Sequence, residues 1–251
     1  MKQKKNTVLI TGASSGIGFE LAKVFAFEGD ELVIVARDAK QLQDVAGTLK
    51  EAGAPKVSII VKDLSLPNSA TDVYNITKEL GINVDILVNN AGIGESGLFA
   101  ETDIEKEIRT VNLNIIAVMS LTKLFLKDMM AKNEGRILQV ASLASYEPTP
   151  KLAVYAATKA FVLSLTDALI EELRGTNVTM TALIPGPTDT DFFNKAGMQH
   201  TRAARFTEDP GLVAQIGYNM LMKGRNHAFA PGVRAQIIKN SFRTNRDIAS
   251  S

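Results

Sequence analysis

Three polar side chains in the second half of the chain have the types and spacing of an acid–base centre. Tyr155-Ala156-Ala157-Thr158-Lys159 sets a phenol and an ammonium four positions apart, hence on one face of a helix. A tyrosine is mostly protonated at neutral pH, and a nearby ammonium favours its phenolate and lowers its pKa. Such a phenol can exchange a proton with a carbonyl or an alcohol. Ser142, at the end of the strand before that helix, can hydrogen-bond the same oxygen. A tyrosine packed over a lysine stem is the plain alternative.

A second chemistry lies near the start of the chain, in Thr11-Gly-Ala-Ser-Ser-Gly-Ile-Gly18. Gly12-Ala13-Ser14-Ser15-Gly16 fits the turn that presents a nucleophilic serine. That reading needs a histidine base and earlier strands beside the turn. His200 and His227 are the two histidines of the chain, and Ser14 follows the first strand. The same residues also fit a glycine turn at a helix N-terminus, where backbone N–H groups and the helix dipole attract phosphates. Gly12, Ser14, Ser15, Gly16, Ile17 and Gly18 are then cofactor residues. Gly12 makes the turn, Gly16 permits close approach, and Gly18 lets the helix pack on the sheet.

The end of the second strand bears on which nucleotide. Val35-Ala36-Arg37-Asp38 puts Ala36 where an NAD site places its acid, and Arg37 follows. A guanidinium suits a ribose 2′-phosphate, so NADP is favoured, with NAD possible. Asp38 fits better as the N-cap of the next helix than as a ribose partner.

The elements that must position these groups alternate. Apolar runs at 7–10, 32–35, 57–61, 86–88, 137–140, 178–184 and 227–230 read as strands. Amphipathic stretches separate them, including long helices expected over 103–132 and 152–174. Strands apolar throughout and divided by helices imply an α/β fold with a doubly wound, Rossmann-like parallel sheet of about seven strands and helices on both faces. A single domain over residues 1–251 is expected, with ligands beyond the carboxyl ends of the strands. The clusters 11–18, 36–38, Asp63-Leu64, 89–94, 141–145 and 185–191 fall there.

Composition limits the alternatives. The chain has 251 residues, 45% hydrophobic and 22% charged, with a formal net charge of +1. No general attraction to nucleic acid is expected. No cysteine is present, which removes disulfides, thiolate metal sites and a cysteine nucleophile; no metal site is expected. No run reaches the ~20 apolar residues of a membrane span, and a cytoplasmic enzyme is the expectation.

Taken together, the motifs resemble those of the short-chain dehydrogenase/reductase family, in its compact single-domain branch. The match runs through Thr11-Gly-x-x-x-Gly-x-Gly18, Asn89-Asn-Ala-Gly92, Ser142, Tyr155-x-x-x-Lys159 and Pro185-Gly186, over about residues 6–190. The resemblance implies a catalytic set of Asn112, Ser142, Tyr155 and Lys159. Tyr155 would give or take the proton, Ser142 would position the carbonyl, and Lys159 would hold the nicotinamide ribose. Asn112 would anchor a water in the proton relay. Asp63 with Leu64 would meet the adenine, and Asn90, Ala91 and Gly92 would sit beside the cofactor. Pro185, Gly186, Thr188 and Thr190 would lie near its nicotinamide amide or pyrophosphate. The chain is most similar to a bacterial subgroup of acyl and general carbonyl reductases.

Residues 191–225 should form a substrate lid, with Phe192, Phe193 and Met198 as an apolar wall beside Leu143 and Tyr146. That favours an apolar carbonyl or alcohol substrate, while Lys195, Arg202 and Arg205 keep an acyl-carrier substrate open. The 103–132 helix is apolar over more than one stripe, which suggests a homo-oligomer, dimer or tetramer. The segment 231–251 departs from the glycine-rich tail of many tetrameric members. Val233, Ile237, Ile238 and Phe242 alternate there with Arg234, Lys239, Arg243 and Arg246; packing is favoured over a membrane-surface role. A catalytically silent sensor or scaffold on the same fold is the competing functional class.

Overall fold

The computed structural model describes residues 5–192, 196–197 and 207–239. Its strands are β1 (Thr7–Thr11), β2 (Glu31–Ala36), β3 (Val57–Val61), β4 (Ile86–Asn89), β5 (Gly135–Val140), β6 (Val178–Ile184) and β7 (His227–Phe229). All pair in parallel in the order β3-β2-β1-β4-β5-β6-β7. The order reverses direction between β1 and β4. That gap is the switch point where ligands of open α/β sheets bind.

The strands read as continuous apolar runs because helices cover both faces. Along β1, Val8 and Ile10 join the core on one face and Leu9 joins the other. On the first face pack α1 (Gly16–Phe27), α2 (Ala39–Glu51) and α7 (Pro210–Met222) with apolar residues of each. On the second pack α3 (Ser69–Glu79), α5 (Val118–Lys132) and α6 (Ala153–Glu172), whose Leu169 and Ile170 lie against that core. The α6 helix is long and apolar enough to cross a membrane by length and composition alone. Here it lies along the sheet and buries Lys159, Val162 and Leu163, which accounts for its character.

One expectation is corrected. The helix over 103–132 is not one regular helix. It runs as α4 (Ile104–Val111), a π-helix (Asn112–Ala117) and then α5. Within 191–225, residues 210–222 form α7, which packs on α1 and the sheet. Val213, Ala214 and Leu221 of α7 are fully buried, and Tyr218 meets Phe25 of α1 edge to face at 5.1 Å. The apolar pattern of 210–222 is core packing. Phe193, Met198, Lys195, Arg202 and Arg205 lie outside the described residues, as do Phe242, Arg243 and Arg246.

Candidate active site

At the switch point, Thr11 ties two strand ends together. Its hydroxyl accepts from the backbone N–H of Asn90 and of Ala91, both at 3.0 Å, and donates to the Val88 carbonyl at 3.3 Å. The Asn90 side chain donates to the carbonyls of Thr11 and Gly12 at 3.0 and 3.2 Å. The glycine turn is thereby fixed from below. Gly12 and Gly16 have φ of 65° and 56°, a region that penalises a β-carbon. A β-carbon on Gly12 would also lie 2.9 Å from the Ala91 Cα, and one on Gly16 would lie 2.9 Å from Thr190 Cγ2. Gly18 lies one layer behind: its β-carbon would meet the Gly12 carbonyl oxygen at 2.3 Å. It therefore serves helix–sheet packing and is not a wall residue. The turn leaves the N-terminus of α1, a helix with no acidic residue in its first turn, facing an open cavity.

That cavity, of about 450 Å³, runs along the carboxyl edge of the sheet. At the β2–β3 end Arg37, Lys62, Asp63, Leu64, Ser65 and Arg109 line it. Asp38 is spent as a cap: its carboxylate accepts from the Gln41 N–H at 3.0 Å. No acid therefore stands at the end of β2 to receive a ribose diol. Asp63 accepts from the Ser65 N–H at 2.9 Å and its hydroxyl at 2.6 Å on one oxygen, and from Arg109 Nη2 at 3.1 Å on the other. Burial raises the Asp63 carboxyl, but the Ser65 bonds and the charges of Arg109 and Arg37 outweigh it and hold it below the usual range.

At the β5–β6 end the catalytic candidates converge on the same cavity: Ser142, Tyr155 and Lys159 all line it. Ser142 follows β5 and caps the short turn Leu143–Ser145, accepting from the Ala144 N–H at 3.1 Å. The Ser145 hydroxyl donates to the Lys159 carbonyl at 2.9 Å and so ties that turn to α6. Lys159 is buried, donates from Nζ to the Val140 carbonyl at 2.7 Å, and sits 5.9 Å from the centre of the Tyr155 ring. Burial lowers its pKa to about 8. Burial also pushes the Tyr155 phenol up to about 12, partly offset by its hydrogen bond with Ser142. The expected lowering of the tyrosine is not met: burial of the phenol dominates and raises it. Phe192 packs on Tyr155 with ring centres 4.9 Å apart, and the absence of a side chain at Gly94 leaves room for both rings.

Asn112 opens the π-helix and is not among the residues that line the cavity. Two positions on, Asn114 is 1% exposed and reaches toward the site. Its Oδ1 accepts from the Ile93 N–H at 3.1 Å, and its Nδ2 donates to the Ile93 carbonyl at 2.9 Å and to Thr158 Oγ1 at 3.0 Å. Thr158 in turn donates to the Tyr155 carbonyl at 2.7 Å. One asparagine side chain thus joins the loop after β4 to the helix carrying Tyr155. A five-residue backbone repeat shifts which residues face inward. Nothing in Val-Asn-Leu-Asn marks that shift, and the resemblance by itself points to Asn112.

The other expected residues fall on the wall: Gly12, Ser14, Ser15, Gly16, Ile17, Arg37, Asn90, Ala91, Gly92, Pro185, Gly186, Thr188 and Thr190. Leu143 lines it, whereas Tyr146 turns to Phe229 at 6.5 Å. Lys62, Ser65, Arg109, Leu113, Glu147 and Gln236 line it without having been anticipated. Gln236 comes from the helical stretch 233–239, whose Val233 is buried against the fold. No histidine lines the cavity among the described residues, and His227 is paired with Asp167 at 2.8 Å. Ser14 therefore has no imidazole to activate it there; His200 lies outside the described residues. No cluster of metal-binding side chains occurs among the described residues.

The short chain dehydrogenase family model matches residues 6–201. The uncharacterized oxidoreductase YvrD of Bacillus subtilis is 36% identical over 192 residues, 76% of this chain and 72% of that protein. A short-chain dehydrogenase from Sphingobium yanoikuyae, solved in complex with NADPH, superimposes with a TM-score of 0.85 at 29% identity, covering 96% of this chain and 95% of the other. One from Burkholderia phymatum, solved with NAD, gives 0.86 at 26% identity, covering 94% and 93%. With the glycine turn, the Ser142–Tyr155–Lys159 centre and the parallel sheet in one frame, the chain belongs to the short-chain dehydrogenase/reductase family of oxidoreductases.

Proposed function

We propose that this protein interconverts a carbonyl compound and its alcohol with NADP(H), in preference to NAD(H), and that Tyr155 is the general acid and base. The observation that carries the reading is the convergence of Ser142, Tyr155 and Lys159 on the cavity whose other end holds the glycine turn and Arg37. The residues present fit a dinucleotide. Bare backbone at Gly12 and Gly16, the N-terminus of α1 and the exposed Arg37 form a cradle for a pyrophosphate and a 2′-phosphate. Lys159 and the segment Pro185–Thr190 would hold the nicotinamide half. The bound cofactor supplies or accepts the hydride.

The chain's own groups handle the proton. Ser142 holds the substrate oxygen, and Tyr155 donates its phenolic proton to that oxygen as the carbonyl carbon is reduced. Burial keeps the phenol in the donor form needed for this. Lys159 then stabilises the phenolate until a proton returns from solvent. Asn114, rather than Asn112, is the residue that braces this centre. Leu143, Leu152 and Phe192 give the substrate end an apolar wall, which suits a hydrophobic carbonyl compound.

A homodimer is proposed through α4, the π-helix and α6. Ile104 and Ile108 of α4, Ile116 of the π-helix and Met119 at the start of α5 are exposed by 65, 45, 47 and 39%.

The test is a panel of aldehydes, ketones and alcohols run with each of the four nicotinamide coenzymes. Turnover that is faster with the phosphorylated pair and lost in Tyr155→Phe is the expected result. Arg37→Ala should weaken NADPH while leaving NADH nearly unchanged. Turnover unaffected by Tyr155→Phe, or none on any substrate, would overturn the reading and favour a silent nucleotide-binding role.

A further inference from the structure

Arg109 and Lys62 are the cavity cations that the reading above leaves unused, and Lys62 is paired with Asp72 at 3.0 Å. Arg109 sits on α4, one helical turn before Leu113, and both residues line the cavity. β2 and β3 pair with Ala36 beside Val61, and Lys62 donates its N–H to the Ala36 carbonyl at 2.8 Å. Asp63 therefore stands just past Arg37, between it and α4. Arg37 influences Asp63 by charge, whereas Arg109 touches it. Three donated hydrogen bonds converge on the Asp63 carboxylate, which leaves about one acceptor position open.

We propose that Arg109 is a positioning residue for the adenine half of the cofactor, a role that rests on the nucleotide reading above. Paired with Asp63, it fixes that carboxylate so that its remaining acceptor position meets the exocyclic amine of a purine. Its planar guanidinium, continued by Leu113, covers one face of the base. The charge of Arg109 is matched by Asp63, so it does not read the 2′-phosphate. Arg37 carries that discrimination alone. The two arginines thus divide the work: one recognises the base and the other the phosphate.

The division is measurable by calorimetry on the cofactor-free protein with ADP-ribose and with 2′-phospho-ADP-ribose. The side chain of Arg109 is 49% exposed, so Arg109→Leu should fold, which a thermal melt checks. Arg109→Leu should weaken both ligands about tenfold, Arg109→Lys less, and Arg37→Ala the phosphorylated ligand only. Asp63→Asn combined with Arg109→Leu should lose no more than the worse single variant, because the two act as a unit. Unchanged binding of both ligands in Arg109→Leu, a loss confined to the phosphorylated one, or additive losses in the double variant would overturn the proposal. If the unmodified protein binds neither ligand, the nucleotide reading itself falls.

Discussion

Replacing Asn114 by alanine should destabilise the protein by roughly 2–4 kcal/mol, whereas Asn112→Ala should cost less than about 1 kcal/mol. Asn114 is 1% exposed and makes three side-chain hydrogen bonds. Its removal strands the Ile93 N–H and carbonyl and one acceptor site of Thr158. Each buried group left unpaired costs on the order of 1–3 kcal/mol. Ile93 lines the cavity, so water can partly replace the lost partner, and the low end of that range applies to each. Asn112 is half-buried, and alanine is the better helix former there. For a chain of this length ~2–4 °C of melting temperature accompanies each kcal/mol. Asn114→Ala should therefore melt about 5–15 °C lower, and Asn112→Ala within a few degrees of the unmodified protein. Asn114→Asp keeps the acceptor for Ile93 but sets a buried carboxylate oxygen against the Ile93 carbonyl, and should cost at least as much as Asn114→Ala. Differential scanning calorimetry of the three variants, with coenzyme turnover alongside, tests this. A larger loss in Asn112→Ala than in Asn114→Ala would refute the assignment.

Two further outcomes follow. Lys159 has a folded pKa of about 8 against an ordinary 10.5, so the unfolded chain binds more protons between those values. The cofactor-free protein should then grow more stable from pH 8 to pH 10, by up to ~1.4 kcal/mol per pH unit from this group. Tyr155, raised from 10.0 to about 12, acts in the opposite sense only above pH 10. Urea unfolding at stepped pH should show that rise in the unmodified protein and a flatter curve in Lys159→Met; parallel curves would remove the lysine from the account. The exposed Ile108 and Ile116 should anchor a partner subunit, so Ile108→Glu with Ile116→Glu should halve the mass seen by light scattering at micromolar concentration. An unmodified protein that is already monomeric would dismiss that interface.

The sheet was legible because parallel strands covered on both faces leave an unbroken apolar run, as Leu32 to Val35 show at no more than 1% exposure. The glycine turn was legible because positive φ at Gly12 and Gly16 restricts the residue type. Asp38 was legible as a cap from its place before a helical stretch, and Tyr155 with Lys159 from their spacing. What escaped depends on three-dimensional context. The packing of residues 210–222 on α1 and the sheet is not legible, because an apolar helical pattern does not say which neighbour it meets. Arg109 and Gln236 reach the cavity from elements far from any motif. The elevated Tyr155 pKa reflects burial, which residue spacing does not reveal.

The π-helix has a consequence for how this chain can change length. A π turn holds one residue more than the α turn it replaces, and each residue advances an α-helix by about 100°. Arg109 and Leu113 precede or enter that turn and face the cavity; Leu121, Phe125 and Met129 follow it and face the sheet. Removing one residue from 112–117 would relax the backbone into an ordinary helix and rotate everything after it relative to everything before it. Cavity wall and sheet contacts could no longer both be satisfied. The segment is therefore expected to accept many exchanges of side chain while rejecting insertions and deletions, a reading frame in space that separates tolerated from forbidden edits.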